Sequence, residues 1–304
     1  MFLNDLQYRS YENLTKLIQD ADLRNFRNFD LIVGVPRSGM VPAFMIGLAL
    51  NLPVIDIEGF IAGINPYVGK RLQYKKNGIS KVLVVDDSIK FGGQLKEVKQ
   101  KLHSFNSIHF KYLSVFATSD SKGMVDHYLE IIDNPRVFQW NLLNSWVYEY
   151  SCVDIDGVLC EDPSEEENDD GEKYLEFLEN VRPKYLPSCV VAVLVTNRLE
   201  KYRRQTEDWL FRHGVQYKKL VMLDLPDKKT RVELGIHSIF KSNVYQKYHQ
   251  TFLFIESNKS QAESIHYNTG KNVFCVENLK FYHKHSDTKS NYLKRIWKNL
   301  KRGL

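Results

Sequence analysis

Short apolar, β-rich runs recur along the whole chain, and a segment of helical period follows each one. In the first half they are Leu31–Val35, Val54–Ile57, Val82–Val85 and Tyr112–Phe116. In the second half they are Tyr148–Val153, Val190–Val195, Leu220–Leu223 and Phe252–Ile255. Continuous apolar strands alternating with helices predict parallel sheets covered on both faces, so the expected class is α/β with two Rossmann-like parallel-sheet domains. Ligands of such sheets bind beyond the C-terminal strand ends. The residues that follow each run are therefore the candidates for function.

A chain of 304 residues has room for about two domains. With 43% hydrophobic and 26% charged residues, either half can bury its own core. The stretch Asn134–Trp146 carries Pro135 and no clear period, which places a boundary near its end. The expected domains are residues 1–146 and 147–283, followed by a tail, 284–304.

Charge and cysteine usage exclude several classes. The tail holds seven Lys/Arg against one Asp, a net of +6, so the +5 of the whole chain leaves −1 for residues 1–283. A near-neutral body argues against nucleic acid as a partner. Cys152, Cys160, Cys189 and Cys275 form no CxxC pair, which argues against a zinc site or a disulfide framework and fits a reducing cytoplasm. The histidines show no metal-ligand spacing, and His283 and His285 read as solvated. No apolar run reaches the ~18 residues of a membrane span. The N-terminal MFLNDLQYRSYENL lacks the pattern of a signal peptide. Eight acids within Glu161–Glu172 read as a solvated loop.

After the run Val82–Val85 comes Asp86-Asp87-Ser88-Ile89-Lys90-Phe91-Gly92-Gly93-Gln94-Leu95. Two acids close a buried strand and a Gly-Gly turn opens a helix. The glycines allow close approach of the backbone to a phosphate, and the helix start offers free N–H groups. Two carboxylates beside such a cradle suit the hydroxyls of a sugar and associated magnesium. VLVVDDSIKFGGQL resembles the phosphoribosyl diphosphate signature of type I phosphoribosyltransferases. The resemblance implies Asp86 and Asp87 at the ribose, with Lys90, Phe91, Gly92, Gly93 and Gln94 around the 5-phosphate. That loop usually carries small hydroxylated residues where this chain has Lys90, Phe91 and Gln94. Upstream, Gly34-Val35-Pro36-Arg37-Ser38-Gly39-Met40 is similar to the family's diphosphate-binding loop, which puts Arg37, Ser38 and Gly39 at the leaving group. Gly69-Lys70-Arg71 lies where the family has a mobile loop; Lys70 and Arg71 belong to it or to a plain solvated turn. No base-binding signature is evident. Phe138 and Trp140 can stack on a base, although core packing is the commoner use of such rings.

After Tyr148–Val153 comes Asp154-Ile155-Asp156-Gly157-Val158-Leu159. At a strand end two acids two apart can converge, one attacking phosphorus and the other protonating the leaving alcohol. DxDGV resembles motif I of the haloacid dehalogenase superfamily, which implies Asp154 as nucleophile and Asp156 as general acid/base. Thr196-Asn197-Arg198 resembles motif II, where the hydroxyl and nearby amides bind the phosphoryl group. Lys241 stands where motif III has its lysine. Glu256 stands where motif IV supplies acids, with Gln261 in place of a second one. The implied metal is Mg2+, held by Asp154, Asp156 and Glu256. Few residues separate motifs I and II, which leaves room only for a small cap.

Together the resemblances imply a dual-domain ribofuranosyltransferase. It would move 5-phosphoribosyl from phosphoribosyl diphosphate to a glycan acceptor, then remove the 5-phosphate. A nucleobase phosphoribosyltransferase fused to a phosphatase and a non-catalytic regulator that binds phosphoribosyl diphosphate are the rival readings. In the tail, Tyr292, Leu293, Ile296, Trp297 and Leu300 share one helical face among basic residues. Such a helix suits peripheral contact with an anionic membrane, as a lipid-linked acceptor would require, or docking on its own domain with a solvated basic face.

Overall fold

The computed structural model describes residues 6–68 and 78–283. The chain divides into two compact units, one spanning Gln7–Asn141 and one that begins at Leu142 and also includes Leu6. Lys70, Arg71 and the 284–304 tail lie outside the described residues.

In chain order the first unit consists of β1 (Gln7–Arg9), α1 (Tyr11–Asp20), β2 (Leu31–Gly34), α2 (Met40–Leu50), β3 (Val54–Asp56), α3 (Ile57–Ile61), β4 (Lys81–Ile89), α4 (Gly93–Leu102), β5 (His109–Ala117), β6 (His127–Ile131) and β7 (Arg136–Phe138). Its main sheet has the order β3-β2-β4-β5-β6, and all four pairings are parallel. Strands β1 and β7 form a separate parallel pair. The unbroken apolar runs have a simple cause. Side chains alternate between sheet faces, so Leu31, Val33, Val82 and Val84 enter one core cluster while Ile32, Leu83 and Val85 enter another. Both faces are covered, so residues 31–33 and 82–85 are apolar without a break.

The second unit contains β8 (Ser151–Val153), α5 (Glu172–Asn180), β9 (Val191–Leu199), α6 (Arg203–Arg212), β10 (Tyr217–Leu223), α7 (Lys228–Leu234), α8 (His237–Lys247), β11 (Leu253–Glu256), α9 (Lys259–Thr269), β12 (Asn272–Cys275) and β13 (Lys280–Tyr282). The sheet order is β10-β9-β8-β11-β12-β13, parallel except for the antiparallel β12–β13 edge. The first strand, β8, thus lies in the middle, with its successors β9 and β10 on one side and β11 to β13 on the other. This reversal opens a crevice beyond the C-terminal ends of β8 and its neighbours. In the first unit β2 has the same place, between β3 and β4.

Several expected strands differ in detail. The run Tyr148–Val153 begins as a 3-10 helix, Trp146–Tyr150, and only Ser151–Val153 is strand. The Ser151 hydroxyl donates to the Val147 carbonyl at 2.6 Å, satisfying an acceptor that a longer ladder would have used. The run Val54–Ile57 stops at Asp56, whose carboxylate accepts from the Gly59 N–H and caps α3. Conversely, β4 and β9 continue through their motifs, to Ile89 and Leu199, so the acids and hydroxyls there sit within the strands.

The acidic stretch is mostly exposed, with one anchor. Asp170 accepts from the Tyr202 hydroxyl at 2.9 Å and the Lys228 N–H at 3.0 Å, and pairs with Lys201 at 3.0 Å. A second tie holds the α5 segment. Trp209 of α6 is fully buried, donates its indole N–H to the Val181 carbonyl at 2.9 Å and stacks on His213 at 4.2 Å. Trp209→Ala is expected to destabilise this unit by about 3–5 kcal/mol, and Trp209→Phe by less. Urea unfolding of the two variants followed by circular dichroism checks the order and the size.

Candidate active sites

In the first unit the site is built where β2 and β4 end. The Ser38 hydroxyl donates to Asp87 Oδ1 at 3.0 Å, and the Trp140 indole N–H donates to Asp87 Oδ2 at 2.8 Å. Asp87 is buried and fixed from two sides, while its own N–H donates to Asp86 Oδ1 at 2.8 Å. Gly39 is required by packing. A Cβ there would stand 2.5 Å from the Val35 carbonyl oxygen and 2.8 Å from Asp86 Oδ1. The loop that follows β4 turns at Gly92, whose φ of 71° lies in the left-handed region, and α4 starts directly after it. Gln94 donates across to the Pro36 carbonyl at 3.2 Å, joining the two loops.

Asp86, Lys90, Phe91, Gly92, Gly93 and Gln94 line a cavity of about 330 Å³. Arg37 is exposed at its loop and has no partner among the described residues. Phe91 is 81% exposed, with the Lys90 ammonium 4.7 Å from its ring centre. Phe138 is buried, with its ring centre 4.8 Å from that of Phe116 and 4.9 Å from that of Trp140, so it packs the core and is not open to a base. The link between Trp140 and Asp87 was not visible in the sequence, because 53 residues separate the partners.

Burial and, secondarily, the neighbouring Asp87 carboxylate push Asp86 from the ordinary 3.8 up to about 8. A carboxyl whose folded value lies above its unfolded one binds more protons when folded. Its contribution to stability is full below about pH 4 and is lost as the pH rises through about 8.

In the second unit Asp154 and Asp156 follow β8, and Glu256 ends β11. Lys241 Nζ lies 2.7 Å from Asp154 Oδ2 and 2.8 Å from Glu256 Oε2. All three side chains are buried. Burial alone would discharge the ammonium, but the attraction of Asp154 and Glu256 outweighs it and raises Lys241 well above the ordinary value. Asp154 is itself raised, first by burial, with Lys241 opposing and Glu256 and Asp156 adding repulsion. The second oxygen of Asp154 accepts from the Ile155 N–H at 2.9 Å. Glu256 Oε1 accepts from the Asn258 N–H at 3.1 Å.

Asp156 faces a different cation. Arg198 grips it bidentately, Nε at 3.1 Å from both oxygens and Nη2 at 2.6 Å from Oδ1. Arg198, expected at the substrate, is fully buried, and its guanidinium holds Asp156. Thr196 is also fully buried, and its hydroxyl accepts from the Arg198 N–H at 3.1 Å. Of these three motif residues, Asn197 is the one that lines the cavity, because consecutive strand residues face opposite sides.

That cavity is about 580 Å³ and is lined by Asp154, Asp156, Lys241, Asn197 and Gln261, together with residues that no motif marked, among them Arg231 and His237. Both lie in the α7–α8 region, and only the fold brings them to the strand ends. Burial, then Arg231 and Lys241, keep His237 below its ordinary value.

The donor set bears on magnesium. Among the described residues no three His, Cys, Asp or Glu side chains gather closely enough to hold a metal ion. Asp156, expected as a third ligand, has both oxygens on Arg198. Asp154 and Glu256 nevertheless carry one negative charge more than Lys241 offsets. That excess fits an ion bound by one or two carboxylates, water and substrate oxygens.

No protein-family model matches the chain, and no curated protein matches it. Among solved structures it is similar to a purine phosphoribosyltransferase from Pyrococcus horikoshii Ot3, at 23% identity over 45% of this chain and 93% of that one, with a TM-score of 0.34. It is also similar to the Helicobacter pylori xanthine-guanine-hypoxanthine phosphoribosyltransferase, at 21% identity over 45% and 93%, TM-score 0.36. A third is the Trypanosoma brucei adenine phosphoribosyltransferase in complex with AMP, pyrophosphate and ribose-5-phosphate, at 18% identity over 40% and 65%, TM-score 0.31. The likeness is one of fold and covers less than half of this chain.

The shifted Asp86 gives a direct test. Asp86→Asn is expected to be more heat-stable than the parent above pH 8, with the gap closing towards pH 4. Thermal unfolding of both proteins across that range measures it, and parallel curves would contradict the assignment.

Proposed function

We propose that the chain is a bifunctional enzyme. Its first unit transfers 5-phosphoribosyl from phosphoribosyl diphosphate to a glycan acceptor. Its second unit, of the haloacid dehalogenase type, then hydrolyses the 5-phosphate to leave ribofuranose. The observation that carries this reading is the buried Asp154–Lys241–Glu256 cluster on a cavity, in the same chain as the paired Asp86-Asp87 site. A transferase that leaves a phosphomonoester and a site suited to cleaving one are chemically consecutive.

In the first reaction the bond from the anomeric carbon to diphosphate breaks and the acceptor hydroxyl forms the new C–O bond, giving up its proton. Asp86 meets the ribose hydroxyls, with Asp87 beside it fixed by Ser38 and Trp140, and the Lys90–Gln94 loop holds the 5-phosphate. Arg37, exposed and without an ion-pair partner among the described residues, meets the charge that develops on the leaving diphosphate. In the second reaction an oxygen of Asp154 attacks phosphorus as the P–O ester bond breaks, and the leaving alkoxide takes a proton from Asp156 in its protonated form, in which one oxygen gives up Arg198. Water then attacks the aspartyl phosphate with its proton returning to Asp156, which releases orthophosphate. Lys241 neutralises Asp154 and the incoming phosphate together. Magnesium, held by Asp154 and Glu256, would add further neutralisation of phosphoryl charge. A glycan, probed as a lipid-linked acceptor, is the acceptor class that needs an unphosphorylated ribose, since nucleotide synthesis retains the 5-phosphate.

Two variants separate the activities. Asp154→Asn is expected to transfer normally and to accumulate phosphorylated product, visible by mass spectrometry as a retained phosphate. Asp86→Asn/Asp87→Asn is expected to lose transfer while still hydrolysing a small phosphate ester, because the sites belong to separate compact units. Dephosphorylated product from the first variant would exclude Asp154 as nucleophile. Loss of both activities in a folded second variant would exclude independent sites.

A further inference from the structure

Arg231 is 8% exposed and lines the cavity that holds Asp154 and Lys241. Its Nη1 donates to the Asn197 carbonyl at 2.8 Å and its Nη2 reaches Asn168 Oδ1 at 3.4 Å. Both partners are neutral, and no carboxylate of the described residues lies within ion-pair distance. Its Nε has no hydrogen-bond partner among the described residues, and neither does the adjacent Asn197 Oδ1. Every other buried cation of this site is matched: Lys241 has two carboxylates and Arg198 has Asp156. A buried guanidinium without a counter-ion is costly, so its position on a cavity wall calls for an anion from outside. Meanwhile Thr196, the expected phosphoryl contact, is sealed off beneath the strand.

We propose that Arg231 receives the anionic phosphoryl oxygens of the substrate in this cavity, in the role the sequence motif assigned to Thr196. The proposal rests on the phosphomonoesterase reading and deepens it. The guanidinium is tied to Asn197 of β9 and Asn168 of the acidic loop, so it is already oriented when the phosphate arrives, and the planar fork suits two phosphate oxygens. The anion completes the charge balance that the free protein lacks.

The test uses the full-length protein, an aryl phosphate as substrate and orthophosphate as competitor. Arg231→Gln is expected to raise KM and the orthophosphate inhibition constant together, by about tenfold or more, with Arg231→Lys between the variant and the parent. The melting temperature without phosphate is expected not to fall, because an unpaired buried charge has been removed. The rise in melting temperature that orthophosphate gives the parent is expected to shrink in Arg231→Gln, a readout that survives if the variant does not turn over. Unchanged KM and inhibition constant would overturn the proposal, as would a fall in melting temperature with the orthophosphate shift intact, which marks a structural arginine. The two readings fail separately. Wild-type hydrolysis by Asp154→Asn would remove the phosphatase reading, whereas wild-type orthophosphate affinity in Arg231→Gln would remove only the role of Arg231.

Discussion

A buried ammonium shared by two carboxylates is the interaction on which the second unit depends. Lys241 reaches Asp154 at the end of β8 and Glu256 at the end of β11, and so joins α8 to the two central strands. Removing the lysine would leave two buried carboxylates facing one another, at a cost of about 3–5 kcal/mol. The same cluster sets the chemistry. It keeps an excess negative charge within a polar cavity, where a cation or a protonated group must balance it, and it holds one oxygen of Asp154 between a charge and a backbone N–H.

The first unit solves a different problem with the same sheet geometry. Its paired acids are consecutive on a strand and so cannot share one face. Asp87 is consumed by Ser38 and Trp140, which fixes the strand end against the β2 loop, while Asp86 is left to the cavity. One acid is structural support for the other. The absence of a side chain at Gly39 lets the β2 loop lie directly on Asp86.

Features encoded in a few consecutive residues were legible in the sequence. The apolar runs gave away the parallel sheets, because burial on both faces leaves no room for polar residues. Asp86-Asp87 and Asp154/Asp156 were legible because a strand end followed by acids and glycine is a local pattern. What escaped were long-range pairings that no motif marks. Arg198 reads as a substrate contact until the fold brings Asp156, 42 residues away, against it. Thr196 reads as a phosphoryl ligand, and in the fold it is fully buried with its hydroxyl accepting from the Arg198 N–H. Arg231 and His237 sit in ordinary helical sequence with no motif, and only the packing of α7 and α8 at the strand ends brings them to the cavity. The 3-10 start at Trp146 escaped for the opposite reason: its apolar residues look like strand, while its backbone is held in a turn by the Tyr148 N–H on the Ser145 carbonyl and the Ser151 hydroxyl on the Val147 carbonyl.

Whether transfer and hydrolysis are consecutive steps of one chain, as proposed, is decided by phosphorus NMR of the full-length protein with phosphoribosyl diphosphate, magnesium and a lipid-linked glycan. Diphosphate is expected first, then orthophosphate after a lag, the two reaching equal amounts and neither forming without the acceptor. Diphosphate released with no orthophosphate to follow, or orthophosphate formed at the same rate without an acceptor, would contradict it.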